Sequence, residues 1–210
     1  DIFSGTGVVG NYFNNTNTKV ISNDLLYSNY ITNYAFLSHE SFNYNKIDCC
    51  INEFNNIKGK ENYFSKHFGD KFFSKDTAKK IGTIRENIEK LYKKNEINFR
   101  ERAILITSLI YASDKIANTC GHYDAYRENI DLKDDIFLKH LDIFHDKNSN
   151  NEIYNTDSNI LFEQLNYNVD IVYADPPYNS RQYSSLYHLV ENLARWKKPD
   201  VEGKASKMKN

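Results

Sequence analysis

Hydrophobic and polar positions along the chain switch between a period of two and a period near three and a half. Asp1 to Phe3 reads as the end of a buried strand, and Ser4-Gly5-Thr6-Gly7 as the turn into a helix from Val8 to about Phe13. A second strand is predicted at Lys19 to Ser22. Leu25, Leu26, Tyr30, Ile31, Tyr34, Phe36 and Leu37 then recur at helical spacing, predicting a helix from Leu25 to about Phe42 that packs on the sheet. Further on, Ile81, Ile84, Ile88 and Leu91 are separated by charged residues, which gives an amphipathic helix over Thr77 to Tyr92. Arg100 to Asn118 is a second, more apolar helix that ends before Gly121. Strand patterns are scarce between Asp48 and His145, apart from a short one at Ile136 to Leu138. Alternation returns with a short strand at Glu152 to Thr156, a helix at Ser158 to Leu165 and a buried strand at Val169 to Ala174. An amphipathic helix over Ser184 to Trp196 follows, and the last ten residues are a polar, Lys-rich stretch without a feature that marks a natural end.

This order predicts an α/β core in two parts, residues 1–47 and 148–210, interrupted by a helical insertion over 48–147, with Asn148 to Asn151 as the linker back. At 210 residues and 40% hydrophobic content the chain can bury a core. Its 27 basic and 28 acidic residues exclude a global positive field, so any nucleic-acid face must be local. Three cysteines without metal-binding spacing point to a reducing compartment, and no metal site is expected. No apolar run reaches the roughly 18 residues of a membrane span, and the expected location is the cytoplasm. Asparagine is abundant, which reads as the mark of an AT-rich coding genome more than of structural demand. The sole methionine is Met208 and the chain opens within a core strand, so a fragment of a longer protein, truncated at both ends, is expected.

Glycines at a strand-to-helix turn let a ligand approach the backbone, and an acid after the next strand, here Asp24, can accept both hydrogen bonds of a ribose diol. A tight turn in some α/β domain explains the glycines equally well. A P-loop does not, because no Lys-Ser/Thr follows Gly7. Asp1 would be awkward beside a pyrophosphate, whereas a ligand carrying adenosine, a sulfonium and a free amino group suits both acids; S-adenosylmethionine is such a ligand.

Asp175-Pro176-Pro177-Tyr178 is the more specific signal. Two prolines at the carboxyl end of an apolar strand stop the ladder and fix an extended backbone, which aims the Asp175 carboxylate and the Pro176 carbonyl in set directions. In an open α/β sheet that is the crevice where substrate binds.

The Asp1 to Gly10 segment, Asp24 and Asp175-Pro-Pro-Tyr178 resemble the cofactor and catalytic motifs of the adenine-specific DNA methyltransferases, in the order of their alpha group. The Asn118-Thr-Cys-Gly-His-Tyr-Asp-Ala-Tyr126 segment and the run Tyr183 to Pro199 resemble the subgroup found in restriction-modification systems. The resemblance implies a Rossmann-like, S-adenosylmethionine-dependent fold. Residues 1–47 would carry the cofactor, 48–147 target recognition and 148–210 catalysis. It further implies Asp1, Phe3, Gly5, Gly7, Asp24, Asp157 and Asp175 around the cofactor, and Asp175, Pro176 and Tyr178 at the reaction. Asp157 is equally a helix amino-terminal cap, and both roles stay open.

The chemistry implied is methyl transfer to the exocyclic N6 of an adenine rotated out of duplex DNA, in a system paired with a restriction endonuclease. Asp175 and the Pro176 carbonyl would accept the two amino protons, and Tyr178 would stack on the base. Expected DNA contacts are Tyr123 and Arg127, in a loop that could also be a turn with packed tyrosines, and Arg181, Lys197 and Lys198. These last belong to a segment, Arg181 to Lys209, with an excess of four positive charges, which could neutralise phosphates or simply be solvated. A cytosine-N4, RNA or protein-amide methyltransferase of the same fold, and a non-catalytic DNA-binding remnant, are the alternatives. Asp175 argues against the first group, where Ser or Asn usually stands first.

Overall fold

The computed structural model describes residues 1–132, 135–143, 150–166, 168–178 and 183–208. The opening follows the predicted order. Residues 1–3, expected as a strand end, form no regular strand, although Asp1 hydrogen-bonds alongside β1 (Ile21–Asn23); α1 spans Val8–Phe13 and α2 Tyr27–Leu37. Helix α2 is shorter at both ends than its apolar pattern suggests. The Asp24 carboxylate accepts from Leu26 N and holds a turn ahead of it, while Ser38 is extended and closes it with its N–H on Tyr34 O.

β1 pairs in parallel with β2 (Glu152–Tyr154), placing Ile21 beside Glu152 and Asn23 beside Tyr154. On the other flank of β1, Asp1 N donates to Ile21 O and Asn23 N to Asp1 O, both at 2.9 Å. One residue reaching two alternate residues of its neighbour is the slanted pattern of parallel pairing. Ile2 N in turn donates to Tyr173 O at 3.2 Å, so residues around 173 occupy the next position across.

The predicted buried strand at Val169 to Ala174 needs correction. It forms no regular strand, and Ile171 is 81% and Val172 50% exposed. Among the described residues its one backbone bond to a neighbouring segment is that to Ile2, and Val169 and Tyr173 are only partly covered, at 41% and 43% exposed. Apolar alternation proposes burial, but opposing layers must supply it.

α3 (Tyr44–Asn56) starts four residues before the stretch expected to be a helical insertion, which contains α4 (Tyr63–Phe68), α5 (Lys75–Lys93) and α6 (Phe99–Ile116). Ile81, Ile84 and Ile88 of α5 are fully enclosed, as their spacing requires, with Phe64, Phe68 and Phe72. The expected strand at Ile136 to Leu138 is absent. Instead the Asn55 side chain brackets Leu138, accepting from its N at 2.7 Å and donating to its O at 3.0 Å, so an amide substitutes for a strand neighbour while Ile136 and Leu138 enter the core.

Helix α7 is Ser158–Gln164, and the helix predicted over Ser184 to Trp196 divides at Tyr187 into α8 (Tyr183–Leu186) and α9 (His188–Arg195). Leu189 and Leu193 of α9 join the core of the helical layer, which ties this layer to the sheet through α2. Arg85 of α5 anchors it. The guanidinium is fully buried, donates to Leu193 O (2.7 Å) and Ala194 O (3.0 Å), and pairs with Glu89. Those carbonyls belong to the last turn of α9, where a cation is favoured.

The Lys-rich stretch also holds regular structure. β3 (Val201–Glu202) and β4 (Lys207–Met208) form an antiparallel hairpin, and the buried Ser206 hydroxyl donates to His67 O at 2.8 Å and accepts from Lys71 at 2.6 Å. Among the described residues no helix is long and apolar enough to cross a membrane, and no cluster of His, Cys, Asp and Glu could hold a metal.

Candidate active site

The site is built where the extended segments end. Gly5 and Gly7 both take positive φ (+52° and +82°), conformations that a side chain disfavours. The Asp24 carboxylate reaches across from the end of β1 and accepts from Gly5 N at 2.8 Å, as it does from Leu26 N at 2.8 Å. Burial raises the Asp24 carboxyl above its ordinary value, against the lowering effect of its hydrogen bonds from Leu26, Asn29 and Gly5. Three donors still leave a lone pair on this carboxylate for a ligand.

Beneath the turn, Asn33 of α2 donates to Gly5 O (2.9 Å) and Asn29 O (2.8 Å) and accepts from Ser22 Oγ (2.7 Å). Asn23 joins three neighbouring chain ends. Its amide donates to Ile2 O and Thr156 O, and its oxygen accepts from Thr156 N. Asn155 donates to Asp24 O and Leu25 O. Sequence reading passed over these asparagines. The signal available was position, since Asn23 and Asn155 stand at strand ends directly before or opposite a candidate acid.

Asp1 and Phe3 lie on the central segment, half-buried, and Asp1 Oδ1 is enclosed without a hydrogen-bond partner. Asp157 follows β2 and caps α7, accepting from Asn159 N at 2.8 Å. Asp175, Pro176 and Tyr178 follow the segment beside Ile2 and are exposed, Tyr178 to 89%. Partial burial, then Tyr178, Tyr187 and Asp175 nearby, hold the Tyr183 phenol above its usual value. Tyr183 lines a cavity of about 250 Å³ beside the glycine turn, with Gly5, Thr6, Ser28, Asp114 and Tyr187. The structure thus brings the glycine turn and Asp24 together, and sets the Asp-Pro-Pro-Tyr segment near the tyrosines that edge the same cavity.

One expected DNA contact is corrected, and a second is exposed but engaged within the fold. Tyr123 is only 2% exposed, with its hydroxyl on Asp114 at 2.7 Å and its carbonyl against His188 Nε2 at 2.8 Å, so it holds its loop from inside. Lys198 pairs with Glu86 and lies over the Trp196 ring, because the left-handed backbone at Trp196 folds the chain back onto α5. Arg127 and Lys197 are exposed; Arg181 lies outside the described residues. Asn118 closes the loop that carries Arg127, exchanging hydrogen bonds with both its N and O.

An α/β platform with an acid-clasped glycine turn at its strand ends has the layout of an enzyme that binds ligand in that crevice. The chain belongs to the D12 class N6 adenine-specific DNA methyltransferase family, whose profile matches residues 1–209. It is 35% identical to modification methylase StsI of Streptococcus sanguinis over 97% of this chain and 33% of that protein. It is 35% identical to type II methyltransferase M.FokI of Planomicrobium okeanokoites over 97% of this chain and 34% of that protein. Type II methyltransferase M.NlaIII of Neisseria lactamica is 29% identical over 97% of this chain and 62% of its own length. The chain therefore spans about a third of the first two of these relatives. No solved structure matches it.

Proposed function

We propose that the protein transfers a methyl group from S-adenosylmethionine to the N6 amino group of adenine in duplex DNA, as the modification partner of a restriction endonuclease. Family membership supports the reaction, and the names of the relatives, modification methylases and type II methyltransferases, support the setting. The order 152–154, 21–23, 1–3 and 173 across the extended segments supports a Rossmann-like core, with residues 48–147 as target-recognition insertion between its two parts.

The residues present fit the cofactor. Asp24 keeps accepting capacity for a ribose hydroxyl beside its three donors, Asp1 Oδ1 is a buried acceptor in want of a donor, and the space over Gly5 is open to 4 Å. S-adenosylmethionine supplies an electrophilic methyl. The acids Asp1 and Asp24 hold its cationic and ribose parts, and Asp157 stands at the neighbouring strand end. Asp175 and the Pro176 carbonyl accept the two amino protons of the target base, directing the nitrogen lone pair at the methyl. Asp175 need not be a strong base, because the nitrogen becomes acidic as the new bond forms. Tyr178, exposed and unburdened by packing, presents a face for the base.

The observation that carries this reading is the placement of Asp175 one segment across from the Asp24-clasped glycine turn. It is tested with the full-length protein, duplex DNA and labelled S-adenosylmethionine, identifying the methylated nucleoside. Asp175→Asn replaces an acceptor with a donor, so turnover should fall by about two orders of magnitude or more while cofactor affinity changes little. Near-normal turnover by Asp175→Asn, or N4-methylcytosine as the product, refutes it.

A further inference from the structure

Helix α2 follows the cofactor acid and supports the glycine turn, yet it begins without a cap of its own. Its preceding residue is Leu26, which has no side-chain acceptor to offer the first N–H groups. The acceptor comes from the other end of the chain. Glu191 of α9, 3% exposed, takes Tyr27 N at 3.0 Å on one carboxylate oxygen and Ser28 N at 2.9 Å on the other. Arg195, one turn further along α9, donates to the same carboxylate at 2.5 Å and lies 5.1 Å from the centre of the Tyr27 ring.

We propose that Glu191 is a positioning residue for the cofactor acid, fixing Asp24 by capping α2 from outside. The path is short and made of hydrogen bonds already described. Glu191 holds Tyr27 and Ser28; the adjoining Leu26 N–H holds Asp24; Asp24 holds Gly5. A carboxylate suits this place twice, since it accepts from two donors at once and sits at the positive end of the helix dipole. It also links the two halves of the site, because α9 follows the Asp-Pro-Pro-Tyr segment whereas α2 follows the glycine turn. Arg195 keeps the carboxylate compensated within the fold, and the nearest acid to it in this path is Asp24 itself.

The inference rests on the reading that Asp24 binds S-adenosylmethionine, and the experiment separates the two. Calorimetry with S-adenosylmethionine and steady-state methylation are run on the full-length protein and on Asp24→Ala, Glu191→Gln, Glu191→Asp and Ile88→Ala. Glu191→Gln keeps the size but turns an amide donor towards a backbone N–H, so Kd should rise about tenfold with kcat at saturating cofactor within about twofold. Glu191→Asp, which keeps the charge, should recover part of that affinity. Ile88→Ala, buried in α5 away from the site, should lower the melting temperature and leave Kd alone. Should Glu191→Gln behave as Ile88→Ala does while Asp24→Ala weakens binding, the positioning role is lost and the cofactor reading stands. Unchanged Kd in Asp24→Ala overturns both. If Glu191→Gln does not fold, the Kd of Glu191→Asp decides, an unaltered value counting against the proposal.

Discussion

The two glycines of the turn should respond to the same substitution in opposite order, depending on what is measured. In Gly7→Ala the added Cβ would stand 2.6 Å from Asn33 Oδ1 at a φ of +82°. Left-handed backbone costs an alanine roughly 1–2 kcal/mol. The Asn33 side chain cannot swing aside freely, because it is bonded to Ser22, Gly5 and Asn29. Displacing it gives up at least one of those bonds, about 1 kcal/mol or more in this buried place. The sum is about 2–4 kcal/mol. In Gly5→Ala the φ is +52° and nothing lies within 4 Å of the new methyl, so only the backbone term remains. The backbone term is common to both, so with a chain of this size losing roughly 2–4 °C of Tm per kcal/mol, Gly7→Ala should melt about 2–4 °C or more below Gly5→Ala. Affinity for S-adenosylmethionine, measured by calorimetry on protein that is still folded, should rank the other way, because the Gly5 methyl occupies the space left for a ligand. Equal melting temperatures would show that Asn33 does not buttress the turn, and unaltered affinity in Gly5→Ala would remove that space from the site.

Three further outcomes are expected. Burial pushes the Arg85 guanidinium down to about 10 even with Glu89 beside it; Arg85→Met leaves the carbonyls of Leu193 and Ala194 unpaired and should cost about 3–5 kcal/mol in urea denaturation, whereas a loss under about 1 kcal/mol would show α9 to be held otherwise. Lys197→Ala should reduce the salt dependence of DNA binding by about one unit of slope, and Lys198→Ala by less, since Lys198 is engaged by Glu86 and Trp196; the reverse order would return Lys198 to the interface. Burial holds the His188 imidazole below its ordinary value of 6.5. The unfolded chain then takes up a proton that the folded one refuses, so stability should fall as pH drops below about 6.5, and His188→Gln should flatten the profile between about pH 7 and 5. A wild-type slope retained in His188→Gln would assign it to other groups.

Order and periodicity were enough to predict the α1, β1 and α2 succession, the helices α5 and α6 and the placement of the glycine turn. Each rests on local rules: the repeat of Ile81, Ile84 and Ile88 admits one face, and Gly5 and Gly7 admit a backbone that other residues resist. The two constellations that carry the chemistry were likewise local, a glycine turn and four consecutive residues, and so could be read directly. Partnership could not be read. Whether Val169 to Ala174 is buried depends on what lies opposite, and Tyr123 was assigned to DNA from its loop although the fold turns it inward.

The abundant asparagines show the same division. Counted along the chain they look like compositional bias, yet Asn23, Asn33, Asn55, Asn118 and Asn151 each close a junction between distant segments. An amide that donates and accepts at once can replace a missing ladder partner, but only the tertiary structure decides which backbone groups are left unpaired for it to meet. Glu191 is the extreme case. Its sequence neighbours mark it as one polar residue on an amphipathic helix, and its role arises because the fold brings α9 against the uncapped start of α2, 163 residues away. Residue types and their local spacing determined which groups could perform chemistry; long-range hydrogen bonding, invisible to any local pattern, determined which groups hold them in place.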